Sequence, residues 1–430
     1  MSIISNLYQG VSGLSSNSAR MEVTGNNIAN VNTVGFKAGR ANFEEILGRT
    51  VMGSNANNHI GQGSRMAGVD QNFSQGSFLS TGSSTDLAVG GEGFFQVRGT
   101  QGGTEGSFYT RAGQFRFDDE GYLTTGGGLK LQGYQVGADG EVGNKVGDIN
   151  IPASPLPPQA TDSIEMQIGL RSDETEILTF DPNDPANTSN HSATVTVYDS
   201  LGQAHEVDVY FNKTADNEWS YTALVKTDET EAGGVEDFTE IGNGTLTFNT
   251  DGQLQTETGD ALGVTFNGAA AQAITLDFGE SIDEGGTGPN ASKQHEQGDY
   301  DTFLLEQNGR SSGNLQGIRV DADGSILGSY SNGEEVALGR VALARFASNQ
   351  GLENVGGNLF QATGLSGEPV VGAANNGGRG AIFGGALEQS NVDLAAEFVN
   401  LITAQRGYQA NARTITTADQ VYAETVNLKQ

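Results

Sequence analysis

Two stretches of helical periodicity, one at each end, enclose a long middle that carries only strand and turn patterns. From Leu7 the apolar or small positions run Val11, Leu14, Ser18, Met21, Gly25 and Ile28, alternately four and three residues apart. At the far end the same alternation joins Leu394, Phe398, Leu401, Gln405, Tyr408, Ala412, Ile415, Asp419, Tyr422 and Val426. That spacing is the seam of a coiled coil. Ser390, with Asp393 three residues on, reads as the capping box that starts the second helix. The pattern predicts a chain that leaves one helical domain and returns to it, its end helices running in opposite directions. Packing of both helices on the globular body is the plainer alternative. The seams are narrow, however, and contain Ser18, Gln405 and Asp419, which suits contacts between copies better than one dry core. Helices of this kind draw their stability from packing, so the ends are expected to order when neighbouring subunits bury them.

The middle alternates as strands and is punctuated by turn signals. Ala193-Thr-Val-Thr-Val-Tyr198 and His205-Glu-Val-Asp-Val-Tyr-Phe211 flank the turn Asp199-Ser-Leu-Gly202. Thr245–Phe248 and Gln253-Leu254 flank Asn249-Thr-Asp-Gly252; Phe115–Phe117 leads through Asp118–Gly121 to Tyr122-Leu123; Gly317–Val320 leads through Asp321–Gly324 to Ser325–Leu327. These are antiparallel hairpins, and the 63 glycines, with no three-residue period, fit many tight turns. Half of the 8 prolines fall in Ile151-Pro-Ala-Ser-Pro-Leu-Pro-Pro158, a stiff connector. Residues 281–299 form a polar, Gly-rich stretch that leads back out. The expected fold class is therefore multidomain: a terminal α-helical coiled-coil domain (1–30 with 391–430), a connector (31–75), and two mainly antiparallel β domains, 76–152 with 305–390 and an inserted 153–304, the chain running out and back.

Charge separates these zones. Residues 153–304 hold 28 acidic and 4 basic residues, −24 of a net −31. Such a face is solvated, which places contact surfaces elsewhere, and it repels phosphate, so neither nucleic acid nor anionic lipid is an expected partner. Without cysteine there are no disulfides or thiolate sites. No apolar run approaches the ~18 residues of a membrane span, and the start has neither an early basic residue nor a signal-length apolar block. Catalytic strings fail on context. His59, His191, His205 and His295 lack partners at ligand spacing and read as surface histidines. Gly309-Arg-Ser311-Ser-Gly313 lacks the helix that a nucleophile elbow needs. Asp321-Ala-Asp-Gly324 has its glycine too early for a calcium loop, and Gly91-Glu-Gly93 lacks the third glycine of a dinucleotide fingerprint. No enzyme, metal or cofactor is expected.

Five strings together resemble one family. Gly25-Asn26-Asn27-Ile-Ala-Asn30 followed by Gly35-Phe36-Lys37 is similar to the N-terminal signature of bacterial flagellar rod and hook proteins. Asp86-Leu-Ala-Val-Gly-Gly-Glu-Gly93-Phe94-Phe95 and Tyr109-Thr-Arg-Ala-Gly-Gln-Phe115 resemble its next two signatures. Ser390-Asn391-Val-Asp-Leu-Ala395 and Ala404-Gln405-Arg406-Gly-Tyr-Gln-Ala-Asn411 resemble its C-terminal helix. The resemblance covers roughly 1–150 and 305–430, and the acidic insertion carries no signature. Length, the large insertion, Tyr330-Ser-Asn-Gly333 and Leu338–Phe346 point within the family to the hook form. The resemblance implies subunits passed unfolded through type III flagellar export without a cleaved signal peptide. They would polymerise outside the cell into a curved tube joining rod to filament, with the helical domain innermost and the acidic domain outermost. Implied partners are the chain itself as a helical homopolymer, rod proteins, the hook cap, hook–filament junction proteins and the export apparatus. Self-assembly would fall to Leu7, Val11, Leu14, Met21, Ile28, Leu394, Phe398, Leu401, Tyr408, Ile415, Tyr422 and Val426. Two alternatives stay open: a distal rod protein, similar at both ends but much shorter, and a secreted adhesin or binding module on a helical stalk.

Overall fold

The computed structural model describes residues 3–46, 49–50, 59–137, 142–151, 154–177, 179–231, 233, 237–259, 261–288, 290–296 and 299–427. A helix stands at each end, α1 (Ile3–Ala29) and α2 (Leu394–Asn427), and among the described residues between them the elements are strands and short 3-10 helices joined by turns and loops. Among the described residues no helix is long and apolar enough to cross a membrane. The chain divides into two compact units, residues 1–153 with 316–329 and 335–430, and residues 154–315 with 330–334.

The first unit combines both helices with a β body. Its main sheet lays side by side Glu335–Arg345, Lys130–Val136, Phe94–Gln101, Thr104–Thr110, Leu359–Gln361 and Glu353–Gly356, every pairing antiparallel. One aromatic core gathers Phe94, Tyr109, Phe346 and Phe360, with Phe94 edge-on to Phe346 and Phe360. The stretch expected as a connector contains a hairpin: Gly39–Glu45 pairs with Ser64–Gln71 from Gly39–Gln71 to Glu45–Ser64. α1 packs on this hairpin. Ser16 Oγ lies 2.9 Å from Ser64 Oγ, and Asn27 exchanges two 2.8 Å hydrogen bonds with the backbone of Gly39.

The second unit is a sandwich of two five-stranded sheets. One is an antiparallel meander of His191–Tyr198, Ala204–Ala215, Glu218–Lys226, Phe238–Phe248 and Leu254–Gly259. Its first and last turns are those expected, closed by Gly202 at φ +81° and Gly252 at φ +73°. The other sheet centres on Ser163–Arg171, whose Ile164, Met166, Ile168 and Leu170 alternate into the core against Val195, Val209, Phe211 and Trp219. That strand departs from the antiparallel expectation, because it runs parallel to Gln272–Asp277 and to Lys293–His295. It is the first strand after the proline stretch, and these later segments return alongside it. The insertion also extends past the expected 304. Asp301–Gln307 pairs with Ser163–Arg171, and Leu156 and Gln159 are bridged to Gly313 and Arg310. Gly309–Gly313 thus borders the proline segment, and Asp321–Gly324 is a hairpin turn. Pro152 and Ala153 lie outside the described residues, as does the side chain of His59.

The histidines of this unit are not free surface groups. His205 sets Nδ1 2.7 Å from Glu229 and Nε2 3.5 Å from Asp199, and stacks on Phe266 at 3.7 Å. His191 stacks on Tyr300 at 4.3 Å, and burial holds its pKa below the ordinary 6.5. The folded unit therefore refuses a proton that the unfolded chain accepts. This contribution to stability is complete above pH 6.5 and declines as pH falls through that value. The one tryptophan, Trp219, is buried here and reports this unit alone. Denaturation followed by Trp219 fluorescence should lose midpoint from pH 7 to pH 5 (about the window of histidine titration). His191→Phe, which keeps the stack, should flatten that slope; an unchanged slope would clear His191 of the effect.

Candidate assembly interface

α1 and α2 lie antiparallel, and small residues set their distance. Arg20 Nη2 donates to Asn400 Oδ1 at 3.0 Å. Further along, Gly407 faces Asn17, Gly13 faces Asn411, and Gly10 faces Ile415. A Cβ on Gly407 would lie 2.6 Å from Asn17 Oδ1, one on Gly13 2.6 Å from Asn411 Nδ2, and one on Gly10 2.7 Å from Ile415 Cγ1. Each asparagine is held by its own helix. Asn17 Nδ2 donates to Gly13 O at 2.7 Å, and Asn411 Nδ2 donates to Gly407 O at 3.0 Å. The result is a reciprocal lock, with each Gly–Asn pair one turn apart on its helix.

This packing face is offset from the heptad seam. α2 turns Asn400, Ala404, Gly407, Asn411 and Ile415 toward α1, with Ala404 fully buried. Of the seam residues, Leu401 and Ile415 are half-buried, whereas Leu394, Phe398, Gln405, Tyr408 and Tyr422 are exposed, as is Arg406. Leu7, Leu14, Met21 and Ile28 on α1 are half-buried, and Val11 is exposed beside Tyr8. The side chain of Val426 lies outside the described residues. The start of α2 also shifts: Asp393 caps it, with Oδ1 accepting from Ala395 N at 2.9 Å and Ala396 N at 3.2 Å, while Ser390 reaches only Val392 N. Asparagine at close helix contacts has no apolar signature, so periodicity does not show this face.

Where α1 ends and α2 begins, four of the five signature strings meet around a buried carboxylate. Glu388 Oε1 accepts from Lys37 Nζ at 2.6 Å and from Gly76 N at 3.0 Å; Oε2 accepts from Arg111 Nη1 at 3.2 Å. Both Lys37 and Glu388 side chains are wholly buried. Arg111 also donates to Gly91 O at 2.6 Å and to Val89 O, and lies 5.2 Å over the ring of Phe94. Burial holds both cations below their ordinary pKa, and the Glu388 charge opposes that shift.

The remaining signature residues frame this junction. Gly35, at φ +69°, abuts the backbone of Arg111 and Ala112 and donates its N–H to Glu388 O at 2.8 Å. Asn391 accepts from Ala38 N and donates to Asn72 O. Asn30 donates to Asn26 O, wrapping the end of α1. Phe36 lines a groove with Met66 and Val69. Asp86 is bridged to Gln114, and Gly93 takes φ +128° next to Leu343. Glu388 itself, one acid among 53, lies two residues before the fourth string and carries no sequence signal of its own.

Comparison with known proteins matches the whole length. Family models described as flagella basal body rod protein, flagellar hook protein FlgE/F/G D1 domain, flagellar basal body protein FlaE D2 domain and flagellar basal body rod FlgEFG protein C-terminal match residues 7–37, 88–170, 169–310 and 384–428. Flagellar hook protein FlgE of Salmonella typhimurium is 38% identical, covering 98% of this chain and 99% of that one; the Escherichia coli protein is 36% identical at the same coverage. The chain belongs to the flagellar hook protein family. It is a structural subunit of the hook, a part of the bacterial flagellum that serves motility, and the family is not one of enzymes. Identity across the insertion favours the hook over a shorter rod protein or an adhesin. The crystal structure of Helicobacter pylori flagellar hook protein FlgE2 shares the fold, at 15% identity and TM-score 0.54, covering 72% of this chain and 100% of that one.

Two outcomes are expected for this hook subunit. Glu388→Gln leaves two buried cations without a counter-charge, which costs about 3–5 kcal/mol. Calorimetry should show the first unit melting earlier while the Trp219 signal of the second holds; a shared, unchanged melting profile would refute the clamp. Gly13→Ala with Gly407→Ala should destabilise the helix pair by about 1–3 kcal/mol of overpacking, outweighing alanine's better helix propensity. Hydrogen exchange in α1 and α2 should accelerate; slower exchange would mean that the asparagines simply move aside.

Proposed function

We infer that the hook subunit polymerises through the faces of α1 and α2 that its own fold leaves uncovered. The observation that carries this reading is the outward stripe of α2. Phe398 and Ile402 are each 50% exposed, and Leu394, Val399, Tyr408 and Tyr422 are exposed with them. These side chains stand on a helix whose opposite face is already sealed by glycine packing. Apolar rows of this kind are costly in water and mark contact surfaces. Coiled-coil contacts between copies, through Leu7, Val11, Leu14, Met21 and Ile28 as well as the α2 seam, would bury them.

In this reading residues 1–30 with 391–430 form the inner assembly domain, and 31–75 join it to a β domain made of the rest of the first unit. Like charge on the acidic second unit keeps its contacts between copies weak and lets them slide as the tube bends. Family membership supports export by the flagellar type III apparatus and assembly outside the cell between rod proteins and the hook–filament junction, beneath a hook cap.

Phe398→Asp tests the reading. Placing a charge in each repeated contact costs about 3 kcal/mol, roughly 100-fold in the concentration needed to polymerise. Electron microscopy and sedimentation should find no tubes, while both thermal transitions stay in place. Tubes at the usual concentration would remove α2 from the interface.

A further inference from the structure

The β body carries an exposed apolar side chain and, separately, an open groove. Among the described residues Leu365 is the most exposed large apolar side chain, at 83%. Single exposed leucines are ordinary, but this one is held in place. Leu365 N donates to Thr363 Oγ1 at 3.1 Å, Thr363 N to Ser366 Oγ at 2.9 Å, and Thr363 Oγ1 to Gly351 O, over a fully buried Ser366. The backbone ordering that a contact would otherwise demand of this loop is already in place.

Leu365 stands beyond one end of the hairpin formed by Glu353–Gly356 and Leu359–Gln361. Around the turn at the hairpin's other end, Gly357–Asn358, opens a groove of about 520 Å³ whose lining includes Val34, Phe115, Leu129 and Leu359. Among the described residues, Arg116 is the one charged residue lining it. On a chain of net charge −31 a groove bearing only a cation is set to receive an acid. Glu368 is exposed three residues beyond Leu365.

Resting on the self-assembly reading, we propose that Leu365 of one copy seats in this groove on the next, with Glu368 meeting Arg116. Knob and hole are different surfaces of one chain, so the contact is heterologous. Repeated without closure, it generates a helical array.

Purified full-length chain decides it. Leu365→Asp should raise the concentration needed for tube formation by roughly tenfold or more and leave thermal unfolding unchanged. Arg116→Glu and Glu368→Arg should each impair assembly, and the double reversal should restore it. Because the chain has no cysteine, Leu365→Cys with Gly127→Cys gives a clean reporter: oxidised tubes should run as a ladder of multimers. Normal assembly of Leu365→Asp, no rescue by the double reversal, or tubes without a ladder would each overturn the contact. The last is also the result expected if the groove receives a different protein. If these variants assemble normally while Phe398→Asp does not, the loop contact fails and the helix reading stands.

Discussion

Glu388 holds the fold together at the point where its topology is most exposed to failure. A chain that leaves through α1, builds a β body and an inserted unit, and comes back through α2 has to fasten its outgoing and returning segments across 351 residues of sequence. One carboxylate does this by accepting from Lys37, Arg111 and a backbone N–H at once. An isolated buried charge costs several kcal/mol, so Lys37, Arg111 and Glu388 are tolerable only together. The arrangement is therefore directional in a way that apolar packing is not, since a displaced segment would leave a buried charge without its partner. It also places Gly35, Phe94 and Asn391, each drawn from a different signature string, around a common centre.

From that junction the two helices run back along each other, and their closeness follows from what is missing from their side chains. Glycines at 10, 13 and 407 admit Ile415, Asn411 and Asn17 at distances that any Cβ would obstruct. Asn17, Asn411, Arg20 and Asn400 share the contact with Ala404 and Ile415. Phe398, Val399, Ile402, Tyr408 and Tyr422 are left exposed on α2. In the proposed assembly this is a division of labour: intrachain contacts set geometry, and the exposed apolar side chains would be buried by neighbours, a term repeated in every copy.

The sequence by itself determined the helical ends, the hairpins at 193–211 and 245–254, the acidic insertion and the family. Each rests on local information: periodicity, turn residues such as Gly202 and Gly252 with positive φ, charge density, or contiguous motif strings. Tertiary structure alone decided the rest. Glu388 is indistinguishable in sequence from any surface acid, because its role depends on partners 277 and 351 residues away. The parallel pairing of Ser163–Arg171, and the extension of the inserted unit past residue 304, depend on which distant strand lies beside it, which alternation cannot encode. The heptad reading marked the apolar rows of α2 and gave them to neighbouring copies, but it did not show the glycine and asparagine face that packs on α1. Hydrophobic period marks a face that needs covering, and does not say whether the cover comes from the same chain or from the next one. The packed glycines and asparagines decide only which face of α2 meets α1, because a contact of small and polar side chains leaves no hydrophobic period to read.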